Sequence, residues 1–102
     1  MLVRVIMIRK VAKLYHGLDV AILPRLSEML LELRTMAHHQ PGYISGETLR
    51  NVHDQEEYMV ISTWKSLEDW ERWFGNEKRA ELEGKVDAML GSSTVYKVFS
   101  YD

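Results

Sequence analysis

The stretch Glu57-Tyr58-Met59-Val60-Ile61-Ser62-Thr63-Trp64, followed by Lys65-Ser66-Leu67-Glu68-Asp69, decides the fold. Tyr58, Val60, Ser62 and Trp64 alternate against Met59, Ile61 and Thr63, which is the period of a β-strand. Apolar side chains stand on both sides of that alternation, so both faces of the strand need cover. Two residues later Ser66 and Asp69 have the spacing of a capping box, with Ser66 as N-cap and Asp69 reaching back. The strand therefore runs almost directly into a helix.

Upstream, His53-Asp54-Gln55-Glu56 reads as a polar turn and Tyr43 to Val52 as a strand with a polar face, which together make an antiparallel hairpin. Gln40-Pro41-Gly42 stops a helix that runs from about Asp19 or Pro24 to about His39, since Pro cannot continue it and Gly accepts a left-handed turn. Leu23, Leu26, Leu30, Leu33 and Ala37 form its apolar stripe, widened by Ile22, Met29 and Met36. Pro24 is tolerated only in the first turn. Before it, Leu2 to Lys10 is a short apolar run suited to a central strand, and His16-Gly17 and Asp19 punctuate the chain. Downstream, Leu67, Trp70, Trp73 and Phe74 face one way. Gly75-Asn76 breaks the helix, and Asn76 caps a second segment carrying Ala80, Leu82, Val86, Met89 and Leu90. Gly91-Ser92-Ser93 ends that segment, and Thr94 to Tyr101 is the last strand.

The order β-α-β-β-α-β is the split βαβ, or ferredoxin-like, arrangement. It predicts one α+β domain over residues 1–102, with a four-stranded antiparallel sheet covered by helices on one face. The other face would carry apolar side chains with no cover, and a second copy of the chain packed sheet to sheet supplies it. A homodimer is expected.

At 102 residues there is room for one modest core, and the chain has no cysteine. Disulfides, thiolate metal sites and a cysteine nucleophile are excluded. A net charge of -2 with scattered Lys and Arg offers phosphate backbones no basic stripe, so nucleic acid and membrane surfaces are not expected partners. Met1 to Ile8 is too short a run before Arg9-Lys10 to span a membrane or direct secretion, and a cytoplasmic protein is the default.

His39-Gln40-Pro41-Gly42-Tyr43, then strand and turn, then Glu57-Tyr58 and Ser62-Thr63-Trp64-Lys65-Ser66, resemble the antibiotic biosynthesis monooxygenase superfamily. There a helix ends in a Pro-Gly-aromatic turn and the third strand ends in a Trp before a capped helix. The match runs through nearly the whole chain. It implies a dimeric α/β barrel with a pocket between sheet and helices in each subunit. It also implies cofactor-free oxygenation of a small hydrophobic or aromatic, quinol-type compound. Haem degraders of this kind need a first-strand Asn and a His where this chain has Glu83, so haem degradation is disfavoured. The cofactor-free oxygenases place an Asn where this chain has Val60 and a Tyr where it has Trp70. A non-catalytic dimeric binding or stress-response module therefore stands beside the oxygenase, and haem binding through an unusual ligand is a third reading.

Tyr58, Trp64, Trp70, Trp73 and Phe74 form the densest aromatic cluster. They are either the wall of a pocket for a flat aromatic substrate or plain core packing of helix on sheet. Trp64 and His39 are the candidate catalytic residues, Trp64 lining the pocket and His39 as general base. His38 and His39 equally suit the helix C-terminal dipole. Four scattered histidines offer no metal-ligand pair, so no metal is expected. Arg4, charged within an apolar strand, either pairs with an acid across the sheet or interface or binds an acidic substrate group.

Overall fold

A computed structural model describes residues 1–10 and 23–101. His16, Gly17, Asp19, Ile22 and the side chain of Leu23 lie outside the described residues. The elements are β1 (Val3–Lys10), α1 (Leu23–His38), β2 (Tyr43–Arg50), β3 (Glu57–Trp64), α2 (Leu67–Phe74), α3 (Glu77–Leu90) and β4 (Val95–Ser100). The strands form one antiparallel sheet in the order β2-β3-β1-β4. This is the expected ferredoxin-like α+β frame, with β2 ending two residues short of Val52.

Local chemistry explains the boundaries. Gly42, at φ 87°, makes the left-handed turn after α1, and its carbonyl accepts the Lys65 N–H at 2.8 Å. That bond ties the start of β2 to the end of β3. Ser66 caps α2 by accepting the Asp69 N–H at 3.1 Å, while its hydroxyl donates to the Asp69 carboxylate at 2.9 Å. Asp69 thus reaches back to the Ser66 hydroxyl. Asn76 caps α3 through the Arg79 N–H at 2.9 Å, and Gly91 closes α3 in the left-handed region.

One core cluster joins α1 to α3 through Leu26, Met29, Leu82, Val86 and Leu90. A second joins the sheet to α2 through Val3, Val5, Trp64 and Trp73, and Met36 packs against both. Leu67 and Ala80, placed on apolar stripes by the sequence, are exposed. On α3 the buried positions Arg79, Leu82, Glu83, Val86 and Leu90 make the inward stripe, and two of them are charged.

Strand register sorts the side chains by face. Val3, Val5, Met7 and Arg9 share the helix side with Trp64, Ser62, Val60 and Tyr58. On the open side, Leu49, Met59, Ile8 and Val95 form a row across all four strands. Beside it run Glu47, Ile61, Ile6 and Lys97, then Ser45, Thr63, Arg4 and Phe99. Leu49, Val95 and Phe99 are about half exposed, and Arg4 Nε is buried with no hydrogen-bond partner among the described residues.

Candidate active site

Between the sheet and the helices is a cavity of about 370 Å³, the size class of small-molecule sites. Tyr58, Trp64, Trp70, Trp73 and Phe74 all line it. Trp64 and Trp73 serve core and cavity wall at once, since Trp64 is only 1% exposed and packs with Trp73 in the sheet-side cluster. Trp70 stacks on Phe74 with centroids 5.0 Å apart, and Phe74 meets Tyr96 edge-on at 5.1 Å. Elsewhere on the wall Tyr43 meets Trp64 edge-on at 5.4 Å, and His38 stacks on Tyr43 at 4.8 Å. The Trp64 indole N–H donates to Ser62 Oγ at 3.0 Å.

His39 stays outside this cavity. It is exposed, with Nδ1 2.8 Å from the Thr35 carbonyl one turn back, and it does not contribute to the lining. His38 is the imidazole that does, with Nε2 3.3 Å from the Tyr43 hydroxyl. Adjacent helical residues point about 100° apart, so only one of the pair could face inward.

The cavity also holds a polar network that aromatic spacing did not reveal. Arg9 Nη2 donates to both Glu83 carboxylate oxygens, at 2.5 and 2.7 Å. Its Nη1 donates to the Tyr58 hydroxyl at 3.1 Å and its Nε to Thr94 Oγ1 at 3.0 Å, and the Thr94 hydroxyl in turn donates to the Asp87 carboxylate. The Tyr96 hydroxyl donates to Glu83 Oε1 at 2.5 Å and accepts from Arg79 Nη1 at 3.1 Å. Arg79 also donates through Nε to the Phe74 carbonyl at 2.9 Å, with its guanidinium 4.5 Å from the Phe74 ring centroid. Burial disfavours the Arg9 cation, but Tyr58 and Glu83 outweigh it and hold the guanidinium more firmly protonated.

Burial first, and then the Glu83 carboxylate, push the Tyr96 phenol well above its ordinary value near 10, against the opposing pull of Arg79. A raised folded-state value means the stabilisation is complete below pH 10 and is lost as pH climbs toward the folded value. Burial raises Tyr43 in the same sense. Urea midpoints should therefore fall on going from about pH 9 to about pH 11, and less steeply in Tyr96→Phe. Equal slopes in the two proteins would disprove the shift.

A family model for antibiotic biosynthesis monooxygenase matches residues 24–84, from the start of α1 into α3. No curated protein matches the chain in sequence. Among solved structures, a conserved protein from Methanosarcina mazei Go1 superposes with a TM-score of 0.78 at 12% identity, over 100% of this chain and 94% of the other. SnoaB, a cofactor-independent oxygenase from Streptomyces nogalater studied as a point mutant, gives 0.74 at 17% identity, over 98% and 92%. Rv0793 from Mycobacterium tuberculosis gives 0.74 at 14%, over 100% and 96%. At such identities these likenesses establish the fold, while the family model, matching more than half the chain, establishes the kinship. This chain belongs to the antibiotic biosynthesis monooxygenase family.

Proposed function

We propose that the chain is a cofactor-free monooxygenase acting on a small, flat aromatic compound of the quinol type. The observation that carries this is the cavity of about 370 Å³ walled by Trp64, Trp70, Trp73 and Phe74. Indole and phenyl faces hold a planar ring by stacking and exclude water from it. The reaction inserts one oxygen atom of O2 at a ring carbon and releases the other as water, the two hydrogens leaving the substrate as it becomes a quinone. The protein's part is to orient the ring, favour its deprotonated form and keep bulk water away. His38 takes the place of base that the sequence suggested for His39, because it is the imidazole within the lining. Trp64 holds the wall rather than a proton.

Oxygen consumption with a panel of quinols and anthrones tests the proposal. Wild-type protein should consume O2 with quinone formation, and Trp70→Ala should lose roughly a hundredfold in rate as the ring loses its orientation. Trp70 is the better probe, since truncating the fully buried Trp64 would confuse folding with activity. Absence of uptake by the wild type across the panel would sink the enzymatic reading, and ring binding without uptake would leave the non-catalytic module.

For the assembly we propose a homodimer through the open face of the sheet. Its support is the apolar row Leu49, Met59, Ile8 and Val95, with Ile61 and Ile6 beside it.

A further inference from the structure

The chain as a whole carries a net charge of -2, yet its cavity is lined by Arg9, Arg34, Arg50 and Arg79 against the single carboxylate of Glu83. Four guanidinium groups and one carboxylate thus line the site. These charges are not equally available. Arg9 spends its charge on Glu83 and its N–H groups on Glu83, Tyr58 and Thr94. Arg50 donates to the Gln55 carbonyl at 2.7 Å and has further interactions.

Arg79 is different. It is 7% exposed and makes no ion pair among the described residues. Among the described residues Glu83 reaches it through the Tyr96 hydroxyl, which donates a hydrogen bond to the carboxylate and accepts one from Arg79. Nε and one N–H of Nη1 are used, and Nη2 makes no hydrogen bond among the described residues. Arg79 lines the cavity with this donor unspent, so an anion entering the cavity would find an N–H group ready to donate to it. Guanidinium N–H groups are well suited to the oxygens of an anion. Arg34, exposed on the rim and without an ion pair among the described residues, adds positive potential at the entrance.

We infer that the cavity selects a planar aromatic that carries an oxyanion, and that Arg79 is the residue that binds this oxyanion. The inference rests on the aromatic-pocket reading above and narrows its substrate class from flat rings to acidic flat rings. Trp70 stacks on Phe74, and the Arg79 guanidinium lies 4.5 Å from the Phe74 ring centroid, so the cation borders the aromatic wall on which a ring would rest. Neutral aromatics fill the same wall but leave Arg79 unmatched.

All three tryptophans of the chain line the cavity, so intrinsic fluorescence reads its occupancy directly. Titration compares 2-naphthoate with its neutral isostere 2-naphthamide. A second pair, a nitronaphthol ionised at neutral pH and its methyl ether, separates a carboxylate from a phenolate as the preferred oxyanion. Wild type should bind at least one anion about tenfold more tightly than its neutral partner, the scale of one charge-assisted hydrogen bond. Arg79→Met should abolish that preference, read as the ratio of anion to neutral affinity measured within the variant itself. Arg79→Lys should restore part of it, and its folding is checked by circular dichroism. Equal affinity for anion and isostere in the wild type overturns the inference and leaves the aromatic pocket standing. Failure of both to bind overturns the pocket reading as well. A preference that survives in Arg79→Met refutes the assignment of Arg79.

Discussion

Glu83→Leu is expected to destabilise the protein by about 3–5 kcal/mol, the usual cost of removing one partner from a buried ion pair. Arg9 is the reason. Its side chain is 5% exposed, and Glu83 is the carboxylate that neutralises it, so the substitution leaves a cation in a site without bulk water. The Tyr96 hydroxyl loses its acceptor in the same step. A domain of this size has only about 5–15 kcal/mol of stability in total, so the variant should lie near the edge of unfolding. The double variant Arg9→Met/Glu83→Leu should recover most of the loss, because an apolar pair of similar volume replaces the charges and strands neither. Urea melts at one fixed protein concentration measure both, which holds any effect of self-association constant. A double variant no more stable than the single would show that Arg9 is not the source of the cost.

Ile61→Glu should turn the proposed dimer into a monomer. Ile61 is at the middle of the open face, directly between Glu47 and Ile6 in one row of the sheet. Face-to-face packing of two sheets leaves no water at that depth, so a carboxylate there is buried without a partner. The association constant should fall by at least about a thousandfold, matching several kcal/mol of uncompensated burial. Charge at the margins offers a gentler probe. A twofold axis along the strands would set Glu47 of one copy over Lys97 of the other, and Lys97→Glu should then weaken association in a salt-dependent way. Sedimentation velocity reads the mass directly. A wild type that sediments as a monomer at tens of micromolar, on the affinity scale of an ordinary stable interface, would refute the proposed assembly.

The frame was largely legible before any coordinates, and for identifiable reasons. Val60-Ile61 alternation, the Pro41-Gly42 stop and the Ser66 cap are local signals, each settled within a few residues of chain. The aromatic cluster was legible too, since Trp70, Trp73 and Phe74 follow helical spacing, but that spacing suited a pocket wall and plain core packing alike. What stayed hidden was the polar network. Arg9 meets Glu83 across 74 residues, and Tyr96 meets Glu83 across 13, distances at which no periodicity speaks. Arg9 looked like the charge that ends a strand, and Glu83 like a missing histidine. A usable sign was present in both cases. Arg9 continues the inward alternation of Val3, Val5 and Met7, and Arg79 and Glu83 occupy stripe positions with Leu82 and Val86. A charged residue that keeps the phase of an apolar face is one the fold intends to bury. The choice between His38 and His39 turned on a single step of helical phase, which element boundaries read from sequence cannot resolve.

The short helix α2 carries a further consequence. It spans eight residues, its first turn is fixed by Ser66 and Asp69, and Gly75 follows its last. Three wall residues ride on it, yet none belongs to the sheet that organises the rest of the chain. Such a panel is exchangeable. Substitutions at positions 70 and 74 can reshape the wall while the hairpin, the sheet register and the α1–α3 packing keep their own supports, whereas Trp73 is also part of the sheet-side core. Divergence within this fold would then be expected to concentrate on that panel, so that a lineage changes what it holds without relearning how to fold.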